Sequence, residues 1–326
     1  MAMMLRLDND IIPEADEIRL FAKVRNEANR LPFWTSYYRK LGVDRFFMID
    51  NDSTDHTVDL LSRDKDVHIF STSEKMSMAR AGMDWIEPLL HQYGQNRWCL
   101  IVDADELLVY PDSESVPLRE FCQMLGRINA DAFGCLLIDM YPAGNIHDVT
   151  YVPGQSFVDV CPFFDSSGYK CLWADRKGPS IVGGPRLRVF FPEHQDGIHW
   201  RILRQIRAYS GLPISIPPLL NKVPLVRWNK QMSFGPAAHY LWYSHPAKGG
   251  GALLHFKFLG DFVHRVEEEL IRKAYSREGV HYKRYFRRLR ARRNRFRDID
   301  FMCKMSVPFD SSRQLVDLEL IASPTI

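Results

Sequence analysis

Two aspartates separated by one residue, Asp103 and Asp105, follow the apolar run Trp98-Cys99-Leu100-Ile101-Val102 and precede a second one, Leu107-Leu108-Val109. Residues two apart on an extended chain point the same way, so both carboxylates can reach one ligand. Two hard oxygen donors suit Mg²⁺ or Mn²⁺, which take one or two carboxylates and complete their shells with water and substrate phosphate. The same short pattern also occurs as a plain solvated turn, and the surrounding sequence has to decide between the two. Further polar clusters could do chemistry: Arg25-Asn26-Glu27, and Asp50-Asn51-Asp52-Ser53-Thr54-Asp55. Carboxylates such as Asp50 and Asp52 accept hydrogen bonds from ribose hydroxyls or a base N–H, while Ser53 and Asp55 serve equally well as turn and helix-cap residues. Late in the chain, His255 lies in the apolar run Leu253–Phe258 and can be a metal ligand or a core histidine. His239, in Ser233–His239, can act as a base toward an acceptor or be structural. Gly183-Gly184-Pro185-Arg186-Leu187-Arg188 can approach a phosphate, although a turn into a strand with a solvated arginine face explains it as simply.

The elements that must position these residues alternate in type. Ile18–Val24 reads as a strand, followed by a helix with Phe33, Trp34, Tyr37, Tyr38 and Leu41 on its apolar side and Gly42 closing it. Asp44–Ile49 is the next strand, then a short helix with Val58, Leu60 and Leu61, then a strand at Val67–Phe70. A longer helix spans Met78 to Leu90 before the Trp98 strand. A helix over Leu118–Ile128 and a strand over Ala132–Met140 follow. Strands separated by helices call for a mostly parallel α/β sheet with helices packed on it. In such sheets ligands bind beyond the carboxyl ends of the strands, where the clusters at Arg25, Asp50 and Asp103 all fall. From Tyr141 to about Gly251 the pattern is lost to Pro, Gly, aromatic residues and His, as in a long functional loop region. Phe262–Arg297 is helical and ends strongly basic.

The chain has 326 residues, 46% hydrophobic and 25% charged, with a net charge of +3, enough for a large core and too little charge to imply a polyanionic partner. Its six cysteines lack metal-type spacing, and Cys99, Cys122 and Cys135 sit in apolar segments, as reduced core thiols do. No apolar stretch near Met1 has signal length and no later run has membrane-span length. The expected location is therefore cytoplasmic.

In this order and spacing, Arg25-Asn26-Glu27, Leu31-Pro32, Asp50–Asp55 and Ile101-Val102-Asp103-Ala104-Asp105-Glu106 resemble the signatures of glycosyltransferase family 2 and its relatives. The resemblance covers roughly residues 18 to 140, and Leu253–Phe258 is similar to the closing motif of a subgroup. It implies the GT-A fold and a metal-bound sugar nucleotide, a UDP-sugar first among them. It also implies Asp105 as a direct ligand of Mn²⁺ or Mg²⁺, with Asp103 on the metal or the ribose and His255 as a third ligand. Arg25, Asn26, Glu27, Asp50, Asp52 and Asp103 would bind the donor. The acidic pair that usually supplies the catalytic base is not evident between Tyr141 and Gly251. Glu193-His194-Gln195-Asp196 stands at about the right distance without the pattern; His239, with His245 nearby, could provide the base or an acceptor contact, and His239 is the candidate base.

The expected organisation is a nucleotide-sugar-binding core over 1–140, an acceptor and remaining catalytic region over 141–260, and a C-terminal helical segment and tail over 261–326. The expected activity is inverting transfer of a hexose-like sugar to a glycan or lipid-linked hydroxyl, in cell-envelope or surface glycan synthesis. The arginines from Lys283 to Arg297 could hold the protein against the inner face of an anionic membrane, although a solvated helix face is the simpler account. Two rival classes are a Mg-dependent phosphohydrolase with an aspartate nucleophile and a nucleic-acid-binding protein using the basic helix. The first places its Asp pair on the first core strand, and the second lacks a reader motif here, so no nucleic acid is expected.

Overall fold

The computed structural model describes residues 4–7, 16–175, 178–194, 217–272, 276–290 and 298–325. One large sheet organises the chain. Numbered in chain order, its strands are β1 (Met4–Leu7), β2 (Arg19–Val24), β3 (Arg45–Asp50), β4 (Val67–Ser71), β5 (Trp98–Ile101), β6 (Glu106–Val109), β7 (Ala132–Asp139), β8 (Asn221–Arg227), β9 (Lys248–His255) and β10 (Ala322–Thr325). Their spatial order is β1-β4-β3-β2-β5-β8-β7-β9-β10, with β6 also pairing β9. Strands β2 to β5 run parallel, as do β7 and β9. Between these two groups β8 runs antiparallel to both β5 and β7. Six strands thus point one way, in the mostly parallel α/β sheet that the alternation predicts.

The sequence explains the layering. Phe46, Phe47, Met48 and Ile49 are all inaccessible, as an uninterrupted apolar run must be when both faces of a parallel strand are covered. Successive residues pack on opposite sides: Phe46 and Met48 join one core with Trp34 and Tyr38, while Phe47 and Ile49 join a second with Ile86 and Leu90. The first side is covered by helices α1 (Leu31–Leu41) and α2 (Thr57–Leu61), with Leu118 and Phe121 of a later helix. The second is covered by α3 (Met83–Tyr93). Helix α1 ends at Gly42, whose φ of 108° is the left-handed conformation that glycine adopts without steric cost.

Three departures from the sequence expectations bear on the site. Helix α3 begins at Met83, not Met78, because Arg80, Ala81 and Gly82 take positive φ and turn the chain first. A Cβ on Gly82 would lie 2.5 Å from the Lys23 side chain, so this turn is also where that lysine passes. Strand β8 lies in the centre of the sheet although nothing marked it in the sequence. Its Pro224 falls inside the register shift between Lys222 and Leu225, one of the few places where a strand tolerates proline. Finally, Arg186–Phe190 is a π-helical turn instead of a strand, and Arg186 is buried.

A third, largely aromatic core lies at the carboxyl edge of the sheet. Helices α4 (Phe262–Arg272) and α5 (Ser276–Leu289) contribute Phe262, Val266, Tyr285 and Leu289, packed with Phe190, Phe258 and Phe301. Tyr285 and Leu289 thus form an apolar stripe on the basic helix, and Arg284 stacks over Phe191 at 4.4 Å. Arg292, Arg293, Arg295, Phe296 and Arg297 lie outside the described residues. The tail then returns to the main body: Ser306–Pro308 pairs with Phe163–Asp165, Leu315 enters the first core and β10 pairs with β9.

Candidate functional site at the carboxyl edge of the sheet

Strand ends deliver a cluster of ionisable groups to one edge. Asp103 and Asp105 follow β5, Asp139 ends β7, His255 ends β9 and Lys23 stands near the end of β2. Because β8 runs the other way, its first residues, Asn221 and Lys222, reach the same edge.

Asp103 and Asp105 do not lie on an extended segment. Residues 102–105 turn tightly, with the Glu106 N–H donating to the Asp103 carbonyl at 3.0 Å. Helix α1 fixes this turn: Trp34 Nε1 donates to the carbonyls of Asp103 and Glu106 at 3.0 and 3.1 Å, and Tyr38 donates to Glu106 at 2.9 Å. The turn sends the two aspartates to different partners. Asp103 accepts from Lys23 Nζ at 2.5 Å and from Lys222 Nζ at 2.8 Å, and about a third of its side chain stays exposed. Lys222 also pairs with buried Glu106, whose other oxygen accepts the Asp103 N–H at 3.0 Å. Burial would raise the Asp103 carboxyl, but Lys222 and Lys23 outweigh it and hold it well below its ordinary range. Burial dominates for Glu106 and raises its carboxyl despite Lys222.

Asp105 faces His255. Its Oδ2 lies 3.4 Å from Nε2, while Nδ1 of the same ring lies 2.6 Å from Asp139 Oδ1. Asp139 is fully buried, and its second oxygen accepts from Arg186 Nε at 2.6 Å. This Arg186–Asp139–His255 chain orients the ring and fixes its Nδ1 as a donor, the arrangement that commonly supports a metal-bound histidine. Donor atoms of Asp105, Glu106 and His255 all lie within 4.8 Å of one another. With Glu106 engaged by Lys222 and a backbone N–H, Asp105 and His255 are the two of these three groups that could hold a divalent ion. Burial lowers the basicity of His255, but Asp105 and Asp139 outweigh it and raise it. Asp105 is held well below its ordinary range because His255 and Lys257 prevail over burial.

His239 sits beside this cluster. Its Nδ1 lies 2.6 Å from the Asn221 carbonyl, an acceptor, so Nδ1 carries the proton and Nε2 keeps its lone pair. Asn221 Nδ2 also donates to the His239 carbonyl at 2.8 Å. Burial, with a contribution from Lys222, lowers its pKa to about 4. His245 is exposed and lies near Asp131.

The remaining candidates form a clasp. Arg25 donates to the Asn51 carbonyl at 2.7 Å, and the Asn26 side chain accepts the Thr54 N–H at 2.8 Å. Glu27 pairs with Arg265 at 2.6 Å and Arg30 at 3.2 Å. Asp50 is buried and accepts the Ser53 N–H at 3.3 and 3.4 Å; Asp52 is exposed with φ 57°. Asp55 accepts from the N–H groups of Ala28 and Thr57. Glu193 pairs with Arg284 on α5, away from the carboxylate cluster; Gln195 and Asp196 lie outside the described residues.

No protein-family model matches the chain, and no curated protein matches it. Solved structures give a weak likeness. HddC from Yersinia pseudotuberculosis is 11% identical over 52% of this chain and 73% of its own, with a TM-score of 0.27. A putative glucose-1-phosphate thymidylyltransferase from Bacillus anthracis, in complex with a sucrose, is 11% identical over 42% of this chain and 62% of its own, with a TM-score of 0.26. Likeness at that level carries no argument about function.

Proposed function

We propose that this chain is a metal-dependent glycosyltransferase of the GT-A type, resembling glycosyltransferase family 2, that moves a sugar from a nucleotide donor to an acceptor hydroxyl with inversion. The observation that supports this most is Asp105 facing a histidine whose far nitrogen is tied to buried Asp139. A divalent ion on Asp105 and His255 would supply positive charge where a departing nucleoside diphosphate gathers negative charge. Asp103, held by two lysines, would accept from donor hydroxyls through its exposed side, and Asp50 would do so at the end of β3. His239, neutral and with Nε2 free to accept, would take the proton of the acceptor hydroxyl. A glycan or lipid-linked acceptor fits an open edge. Among the described residues no helix is long and apolar enough to cross a membrane, so contact with one would be peripheral, through the arginines of α5. Binding and turnover of UDP-sugars with and without Mn²⁺, for the wild type and Asp105→Asn, test the reading. Metal-independent binding, or full turnover in the variant, would refute it.

A further inference from the structure

The cations at the carboxyl edge of the sheet come with carboxylates. Lys23 and Lys222 pair with Asp103, Arg186 with Asp139, Arg30 with Asp261 and Arg265 with Glu27. Lys257 differs from them: among the described residues no carboxylate forms an ion pair with it. Its ammonium donates to the Tyr282 hydroxyl at 3.3 Å and lies over the rings of Tyr282 and Tyr285, 5.1 and 5.9 Å from their centroids. The residue is half-buried. The backbone ties it to the two candidate metal ligands. Lys257 follows His255 by two residues, and the N–H of Phe256 between them donates to the Asp105 carbonyl at 2.7 Å.

A cation drawn partly out of water costs free energy when no anion offsets it. Two ring faces and a hydroxyl offset part of that cost, and an anionic ligand would offset more. The order of the strands indicates which part of the donor could do so. Strand β3, which ends in Asp50, lies on one side of β5 and its Asp103; β9, which ends in His255 and leads to Lys257, lies on the other side, beyond β8 and β7. A nucleotide with its ribose between Asp50 and Asp103 therefore extends its phosphates toward β9, and the last of them comes nearest to Lys257. We propose that Lys257 donates to the β-phosphate of the nucleotide sugar, the one that departs with the glycosidic oxygen, and that Tyr282 and Tyr285 of α5 hold the ammonium in place for it. This rests on the nucleotide-donor reading above and adds to it a side chain that meets the leaving group. A fixed positive charge at that point acts where negative charge grows as the bond to the sugar breaks.

The test is calorimetry on the full chain with Mn²⁺, comparing UDP and UMP for the wild type and for Lys257→Met, which keeps an apolar stem against the two rings and removes the charge. UDP should bind the variant roughly tenfold or more weakly, the loss of one charge-assisted hydrogen bond. UMP, which lacks the β-phosphate, should change by about twofold at most. Thermal melts establish that the variant is folded, and Lys257→Gln, for which the same pattern is expected, replaces it if it is not. A lysine that only braces the tyrosines would lower the melting temperature and leave the ratio of UDP to UMP affinity unchanged. Equal affinity of both proteins for UDP, or equal losses for UDP and UMP, would overturn the assignment while leaving the donor reading intact. A folded wild type that binds neither nucleotide would overturn both.

Discussion

His239 offers the sharpest quantitative test of the site. Its ring is fixed by the Asn221 carbonyl at 2.6 Å and is half-buried near Lys222. Burial first, and then the charges of Lys222 and Arg186, lower its pKa from 6.5 to about 4. The unfolded chain therefore takes up a proton near pH 6.5, and the folded protein does so only near pH 4. Folding stability must fall as pH drops through that window and level off below it. The drop is worth about 3 kcal/mol at most, at 1.36 kcal/mol per pH unit. Other groups titrate at acid pH, Asp103 and Asp105 among them, so the variant His239→Gln is the reference. Gln can donate to the Asn221 carbonyl without a charge change. Urea denaturation of both proteins from pH 7 to pH 4 should show the wild type losing about 2–3 kcal/mol relative to the variant. Parallel curves would mean the ring is not held as described. If His239 also serves as the base, kcat/KM should stay flat from pH 8 down to about 5, where an ordinary histidine would already have lost activity.

Three other outcomes follow from the same geometry. Trp34→Phe leaves the carbonyls of Asp103 and Glu106 without their shared donor, and should cost about 1–3 kcal/mol in chemical denaturation; a variant as stable as the wild type would show that α1 does not fix the turn. Lys222→Met strands buried Glu106 and should destabilise by about 3–5 kcal/mol, with Glu106→Gln restoring much of the loss in the double variant; independent, additive effects would contradict the pairing. Gly82→Ala forces a left-handed backbone on alanine and presses on Lys23, so nucleotide affinity should fall with Asp103 and Lys222 untouched; calorimetry showing normal affinity would remove Lys23 from the site.

How much of this was legible in the sequence varies by element. Strands β2 to β5 could be read because their apolar runs stop abruptly in polar residues, and that same signal exposed Arg25, Asp50 and Asp103. Applied to Ala132–Met140 it would also have exposed Asp139, which ends a buried strand just as Asp50 does. Lys23 stands in plain view as a charge inside the apolar stretch Leu20–Val24. Lys222 was not, because β8 carries Asn221, Lys222 and Pro224 at its start and owes its place to its neighbours on both sides, not to any local preference. Arg186 read as a solvated turn residue because its partner, Asp139, is 47 residues away. The separation of Asp103 from Asp105 depends on a turn held by an indole on another helix, which no local pattern reports.

The place of β8 has a consequence for how the molecule comes into being. It is the seam between β2–β5 on one side and β7 and β9 on the other, yet it is made some eighty residues after β7. Until it arrives, β5 and β7 each present an open apolar edge, and such edges invite pairing with other chains. Contacts so distant in sequence also form slowly. Residues 1–140 alone should therefore aggregate instead of folding as an autonomous nucleotide-binding unit. This edge would be completed only after most of the chain has left the ribosome, and Lys222 would reach Asp103 in the same event that closes the sheet.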